Sequence, residues 1–393
     1  MPKAPLEHSI LGASSCERWW NCPGSVEAVK KYKNEESKYA AEGTVAHGII
    51  ANELEMIYPR KQISGVLGKA LSPKVRESLD KKIGDTVMQG DFEIEITEEM
   101  VDAVMEFLQL VAEEADPGCV IKIEERVDLS KENKHLFGTS DVVIIKPFEW
   151  IKVMDFKYGA GIKVNAWENK QGLFYLTCAW EGEDVEHGEV IICQPRKENG
   201  TSRYAVTHEQ YQKFKYELIV SADEALKKKA VRVAGAWCKK SFCPAFADCP
   251  AADNMAHEIV ARDFDSPIAP DKLSISKIQM VLEKAEFITA WMNAVNARAK
   301  ELMLAGEDIP GFKLVQGYGH RKWQSEASVE EDFADLGDKL FEKPKLKSPA
   351  KLEKLIGKDK IADYAYKPET AVKLVPDSAK GDPLQINVKA DYD

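Results

Sequence analysis

Asp141, Asp155 and Lys157 are charged residues set into apolar surroundings. Asp141 opens the run Asp141–Ile145, and Asp155 and Lys157 close the run that begins at Trp150. Both runs are rich in Val and Ile, and Lys146-Pro147-Phe148-Glu149 separates them, so the spacing predicts two strands joined by a turn. Asp155 and Lys157 are one residue apart and therefore share a strand face. Carboxylates and an ammonium at the ends of neighbouring strands suit a metal site better than a core. A hard divalent cation such as Mg2+ takes carboxylate and carbonyl oxygens and keeps several waters. Beside a phosphodiester it offsets charge on the phosphoryl oxygens and lowers the pKa of an attacking water. A neighbouring lysine adds a fixed positive charge.

The chain offers further residues of this kind. His47 falls among apolar positions of a helix predicted over Lys38–Tyr58, where a lone histidine is more often a satisfied core residue than a ligand. Glu42 and Glu53 on the same helix, and Glu124 or Glu125 on a strand predicted over Cys119–Leu129, are additional carboxylates whose ordinary meaning is a solvated face. Gly138, shortly before Asp141, lets backbone approach the site closely. Gln171 and Tyr175 lie one helical turn apart on a helix predicted over Asn165–Trp180. Arg196 emerges at the end of a strand predicted over Gly188–Cys193 and could offer a bidentate donor to phosphate.

The thirteen residues between Asp141 and Asp155, followed by Lys157, resemble the signature of the PD-(D/E)xK nucleases. Glu42–His47 resembles the helical first motif of RecB-type exonucleases, and Gln171 with Tyr175 resembles their Q-x-x-x-Y helix. The resemblance covers roughly residues 14–250. A phage-encoded RecB-like family resembles the whole chain, with Gly311–Val315 and Arg321-Lys322-Trp323 as its marks. The resemblance implies a restriction-endonuclease-like α/β core with a mixed central sheet flanked by helices, and an α-rich C-terminal region. It implies that His47, Asp141, Asp155 and the carbonyl of Phe156 hold Mg2+ or Mn2+, with Lys157 placing the nucleophilic water. It further implies that Gln171 and Tyr175 contact DNA.

Eight cysteines in a chain of this size point to metal or cluster ligation more than to disulfides. Cys238, Cys243 and Cys249 share one short segment, and Cys16 and Cys22 lie near the N-terminus. This distribution resembles the iron–sulfur members of the RecB superfamily, such as AddB and the CRISPR-adaptation exonucleases. It implies Cys22, Cys238, Cys243 and Cys249 around a [4Fe–4S] cluster, with Cys16 in reserve as the first ligand. The first two cysteines of the later set have four residues between them where the family has two. Zinc would use the same four residues, and unliganded cysteines are the plain alternative. Cys119, Cys178 and Cys193 sit in apolar stretches and read as core.

These groups need elements to position them. The sequence predicts helices over Ser25–Lys33, Thr97–Ala115, Thr207–Lys229 and Ser274–Leu304. Thr97 and Thr207 serve as N-caps, and Gln210 completes a capping box. Gln62–Gly90 gives little beyond a short helical pattern near Pro73–Lys82. Ser348–Leu352 reads as a helix start with proline in its first turn. The expected domains are 1–257, a nuclease domain whose ends the cysteines join, and 258–393, an α-rich region. The composition is that of an ordinary globular protein, 44% hydrophobic and 30% charged. No run is long enough to span a bilayer, so membrane functions are set aside and a cytoplasmic location is expected. A net charge of −11 argues against gripping nucleic acid with the whole surface. It leaves room for a local basic track such as Lys227–Lys229, Arg232, Lys239 and Lys240.

The expected function is a metal-dependent DNA exonuclease acting on linear ends in phage replication or recombination. A non-catalytic DNA-binding or assembly protein with the same fold, and a zinc-stabilised structural protein, are the alternatives.

Overall fold

The computed structural model describes residues 9–32, 37–59, 71–263 and 273–312. Its described residues up to Asp80 are helical. α1 (Cys16–Asn21), α2 (Ser25–Ala28), α3 (Lys38–Ile57) and α4 (Pro73–Asp80) precede a small hairpin, β1 (Thr86–Gln89) and β2 (Phe92–Glu95). α5 (Glu98–Glu114) follows. Thr97 caps it by accepting from the Met100 amide at 3.2 Å, and Glu98 and Glu99 complement the positive end of the helix dipole.

Three antiparallel strands then run in succession: β3 (Val120–Asp128), β4 (Phe137–Lys146) and β5 (Trp150–Phe156). α6 (Lys170–Trp180) crosses to β6 (His187–Cys193), which pairs parallel with β5, and β7 (Thr201–Thr207) closes the sheet antiparallel to β6. The result is a mixed five-stranded sheet in the order β3-β4-β5-β6-β7. α7 (His208–Ala225), α8 (Trp237–Lys240), α9 (Pro250–Asp263) and α10 (Ile275–Leu304) make the following region helical. This is the expected α/β architecture of a restriction-endonuclease-like core.

Alternation along the strands sorts side chains to two faces. Val142, Ile144, Met154 and Phe156 pack in one cluster with Ile49 of α3 and Phe107 of α5. Val143, Ile145, Ile151 and Val153 pack in a second cluster with Phe174 of α6 and Leu218 of α7. Full burial of such side chains stabilises by about 1.5–3 kcal/mol each. The α3 and α6 layers are thereby fixed against opposite faces of the same strands, so residues from both helices can reach the ends of β4 and β5.

Several elements differ from expectation. α6 starts at Lys170 rather than Asn165, because Asn165 turns the chain by accepting from the Trp167 amide at 2.8 Å and Asn169 is the helix cap. The β1–β2 hairpin and β7 are additional strands. A third cluster joins Cys238 and Phe246 to Ile259 of α9 and Phe287 of α10. The described residues all fall within one compact unit, which ends at Leu314. The sequence boundary between 257 and 258 falls inside α9. Ser348–Leu352, Arg321–Trp323 and the end of Gly311–Val315 lie outside the described residues. No helix among the described residues is long and apolar enough to cross a membrane.

Candidate metal centre

The β4–β5 ladder ends at the Val142–Met154 pair, just before Asp141 and Asp155. Beyond that point Asp141 Oδ2 accepts from the Phe156 amide at 2.8 Å, a side chain standing where a strand carbonyl would otherwise pair. On the other side, the β3–β4 ladder is interrupted between Ile123–Val142 and Glu125–Ser140, leaving Glu124 opposite Asp141. Glu124 has φ of 45°, a conformation that costs a non-glycine residue about 1–3 kcal/mol and that collects at functional positions. The kink turns its carboxylate toward Asp141.

α3 supplies the next group. Ser37 caps the helix through the Ala40 amide, and Val45, Ala46 and Ile49 bury its inner face. His47 is thereby held with Nδ1 3.3 Å from Asp141 Oδ1, its ring edge-on to Phe156 at 5.4 Å between centroids. Among the described residues, His47, Glu124 and Asp141 form the one trio whose ligand atoms all lie within 4.8 Å of one another. One imidazole nitrogen and two carboxylate oxygens make a donor set that suits Mg2+, Mn2+ or another first-row divalent cation. Glu124, an optional ligand on sequence grounds, is the third member of this trio, and Asp155 is not in it.

Asp155 faces Lys157 instead. The ammonium lies 3.2 Å from Oδ1 and 2.9 Å from Oδ2, yet only Oδ1 accepts a well-aligned hydrogen bond, and the buried Oδ2 accepts none. A buried carboxylate oxygen held by charge alone, with no aligned hydrogen bond, has room for a further cation. Lys157 also donates to Gln171 Oε1 at 3.1 Å, and Tyr175 hydrogen-bonds Gln171 in turn. Two glycines make this approach possible. A Cβ on Gly138 would lie 2.8 Å from Tyr175 Cε1, and one on Gly172 would lie 2.4 Å from Val190 Cγ1. Gly172 lets α6 settle on β6, and Gly138 admits the tyrosine ring over β4.

The electrostatics divide the two aspartates. Burial pushes Asp141 up, but His47, the Phe156 amide and Lys157 outweigh it and hold the carboxyl below its usual range. Burial and the like charge of Asp141 hold Asp155 above its usual range, against the pull of Lys157. For His47, burial lowers the pKa and Asp141, Asp155 and Glu124 more than restore it, leaving it raised. Burial likewise opposes the charge on Lys157, and Asp155 and Asp141 overcome it. Lys157 is therefore a permanent cation here, suited to stabilise charge and not to abstract a proton. Burial also raises Tyr175, which stays neutral.

Other predicted residues lie elsewhere. Glu53 is buried near Lys82, 3.8 Å away, outside the trio. Arg196 presents its fork to Glu99, with Nε at 3.1 Å and Nη2 at 3.2 Å from the two carboxylate oxygens, and lies over the Tyr158 ring. The bidentate geometry expected for phosphate is thus occupied by a side chain of α5. Of the basic track, Lys227 pairs with Glu224 and Lys239 with Glu286.

The cysteines separate as the apolar pattern suggested. Cys119 and Cys193 lie in the cluster under α3 and α5, and Cys16 and Cys178 in that under α6. Cys16 is fully buried in apolar packing and is no longer a candidate ligand. Cys22, Cys238, Cys243 and Cys249 line one pocket. The Gly24 amide donates to the Val231 carbonyl at 2.8 Å, clamping the N-terminal segment to the one that leads into Cys238. Backbone amides point at the sulfurs: Val233 donates to Cys22 at 3.2 Å, Gly235 to Cys238 and Ala245 to Cys243. Burial pushes the Cys238 thiol up to about 11 despite its amide, so loading with metal would displace a proton there. All four are free thiols, and no three of these sulfurs lie within 4.8 Å of one another. Tetrahedral zinc needs its sulfurs about 3.8 Å apart.

The match to known families falls on the whole of this assembly and beyond it. Residues 8–382 match the family described as "Protein of unknown function (DUF2800)", and the chain belongs to that family.

Proposed function

We propose that the chain is a metal-dependent deoxyribonuclease of the PD-(D/E)xK, RecB-like type, an exonuclease acting on linear DNA ends in phage replication or recombination. The observation that carries this reading is the meeting of His47, Glu124 and Asp141 within 4.8 Å, beside the Asp155–Lys157–Gln171 chain of contacts. His47, Glu124 and Asp141 would hold Mg2+ or Mn2+, with Oδ2 of Asp155 and the Phe156 carbonyl as further donors. Bound there, the cation supplies charge neutralisation at the phosphoryl oxygens and a lowered water pKa. Lys157, charged and steadied by Asp155 and Gln171, stabilises negative charge building on phosphorus oxygens. Gln171 and Tyr175 position the DNA backbone. The pocket of Cys22, Cys238, Cys243 and Cys249 would hold a [4Fe–4S] cluster, with zinc as the alternative occupant of the same four ligands. That group would pin residue 22 to the segment after α7.

The test is incubation of anaerobically purified protein with end-labelled linear and circular DNA, with and without Mn2+. Mn2+-dependent loss of linear DNA only, abolished by Asp155→Ala and Lys157→Ala, is the expected result. Degraded circles would mean an endonuclease. DNA binding without product would move the chain to the class of non-catalytic DNA-binding proteins.

A further inference from the structure

The cysteine pocket contains two buried polar atoms that nothing in the protein satisfies. Arg18 lies on α1 one turn before Cys22, whose amide donates to the Arg18 carbonyl at 2.8 Å, so both project from the same side of the segment. Arg18 and Ser25 line the pocket with the four cysteines. Arg18 Nε and Ser25 Oγ are buried and make no hydrogen bond, and Ser25 is only 2% exposed. Leaving one buried donor unmade costs about 1–3 kcal/mol, more for a charged group. Two such donors in one small pocket therefore call for acceptors that belong there. Ala28, Val233, Trp237, Ala245 and Phe246 give the remaining wall an apolar character. The sulfurs are the acceptors within reach. Burial weakens the hold of Arg18 on its proton, and thiolate charge at Cys243 and Cys22 opposes that effect.

We propose that Arg18 and Ser25 are the non-cysteine donors of this site, hydrogen-bonding to the sulfurs of a bound iron–sulfur cluster and setting its reduction potential. The inference rests on the cluster reading given above. A cluster held by four thiolates is an anion, and it becomes more negative on gaining an electron. A guanidinium at its edge and a hydroxyl hydrogen bond both favour the more negative state, and they act strongly in a dry pocket. Removing either should make the cluster harder to reduce while leaving all four ligands in place. Arg18 and Ser25 flank Cys22, so the N-terminal segment supplies one ligand and both donors. The cluster's potential is then tied to how firmly that segment is docked.

The experiment is an EPR-monitored redox titration of full-length protein purified without oxygen, with iron and sulfide assayed on each sample. Wild type, Arg18→Lys, Arg18→Gln and Ser25→Ala are compared. The expected result is full iron content throughout, with potentials lowered in Arg18→Gln and Ser25→Ala and largely restored in Arg18→Lys. Unchanged potentials in iron-loaded variants overturn the assignment while leaving the cluster intact. Should Arg18→Gln lose its iron, Ser25→Ala decides: a lowered potential sustains the proposal and an unchanged one overturns it. Wild-type protein that carries zinc or no metal removes the cluster reading and this inference together, and its iron assay distinguishes that failure from the first.

Discussion

Gly172→Ala tests whether the seat of α6 on β6 sets the geometry of the proposed active site. The added Cβ would lie 2.4 Å from Val190 Cγ1 and 3.5 Å from Val190 Cβ. Carbon atoms settle at about 3.5–4.0 Å, so one contact must open by about 1 Å while the other is already comfortable. Val190 is fully buried and cannot swing into solvent, so the strain falls on the helix. Overpacking of this kind costs about 1–3 kcal/mol, partly offset by the roughly 1 kcal/mol that alanine gains over glycine in a helix. The displacement passes directly to Gln171 and Tyr175, and a misplacement of about 1 Å at a catalytic constellation can cost about 100-fold in rate. Val190→Ala supplies the rescue. It deletes Cγ1 and keeps the Cβ at its ordinary contact distance, though alone it leaves a cavity costing about 2 kcal/mol. The double variant should return to within about 1 kcal/mol of wild type and recover most Mn2+-dependent degradation of linear DNA. Urea denaturation of the four proteins gives a coupling energy expected at about 1–3 kcal/mol. Strict additivity, or a Gly172→Ala protein with unaltered stability and cleavage, would refute the packing argument.

Asp155→Asn should abolish cleavage yet leave the metal-free protein as stable as wild type, or more so by about 0.5–2 kcal/mol, in urea melts with EDTA at pH 7. Burial and Asp141 hold this carboxyl above its usual range, so its charge opposes folding; a clear loss of stability would contradict that. The His47–Asp141 pair gives a pH dependence with a worked sign. The raised pKa of His47 makes its contribution complete below its ordinary value near about 6.5 and lost as pH rises through the folded value. The depressed pKa of Asp141 makes its own contribution present above the ordinary carboxylate range and lost on acidification through the folded value. His47→Gln should therefore cost about 1 kcal/mol near pH 6 and little at pH 9 in EDTA, read from urea midpoints; a pH-independent loss would show that the pair is not charged. Thr207→Ala removes the capping box, in which Gln210 accepts from the Thr207 amide at 2.8 Å and Thr207 accepts from the Gln210 amide at 3.2 Å. It should cost about 1 kcal/mol with cleavage unchanged, and a drop in activity beyond the unfolded fraction would tie α7 to the site.

What the sequence disclosed, and what it withheld, follows from the range of the interactions involved. β4, β5 and the capped starts of α5 and α7 were legible because alternation and N-cap chemistry are local, read within a few residues. The polar β7 was not, since Thr201–Thr207 is mostly exposed and its pairing to β6 depends on a partner strand already in place. The hairpin of β1 and β2 escaped for the same reason, with Val87 and Met88 exposed where an apolar face was sought. Glu124 is the instructive residue. In Lys122–Asp128 it reads as one surface charge among several. Only the pairing of β3 with β4 puts it opposite Asp141, and only its positive φ turns it into the site. The Arg196–Glu99 pair was hidden for a related reason, because Glu99 comes from the distant start of α5. The cysteines were separable in sequence because their apolar or polar surroundings reflect burial, but which sulfurs meet is a property of the fold.

The charges at the centre also constrain how the proposed activity would have to work. Glu124, Asp141 and Asp155 place three carboxylates around one lysine and one histidine, within a chain of net charge −11. A phosphodiester has no electrostatic reason to enter such a cleft unaided. The raised pKa of Asp155 is one expression of that excess negative charge. A divalent cation would relieve it and reverse the local sign, letting Lys157 act on the substrate as well as on Asp155 and Gln171. On this reading DNA binding and catalysis share one requirement. His47 and Lys157 hold the carboxylates in place, and on this reading the protein gains affinity for DNA only when a cation joins them.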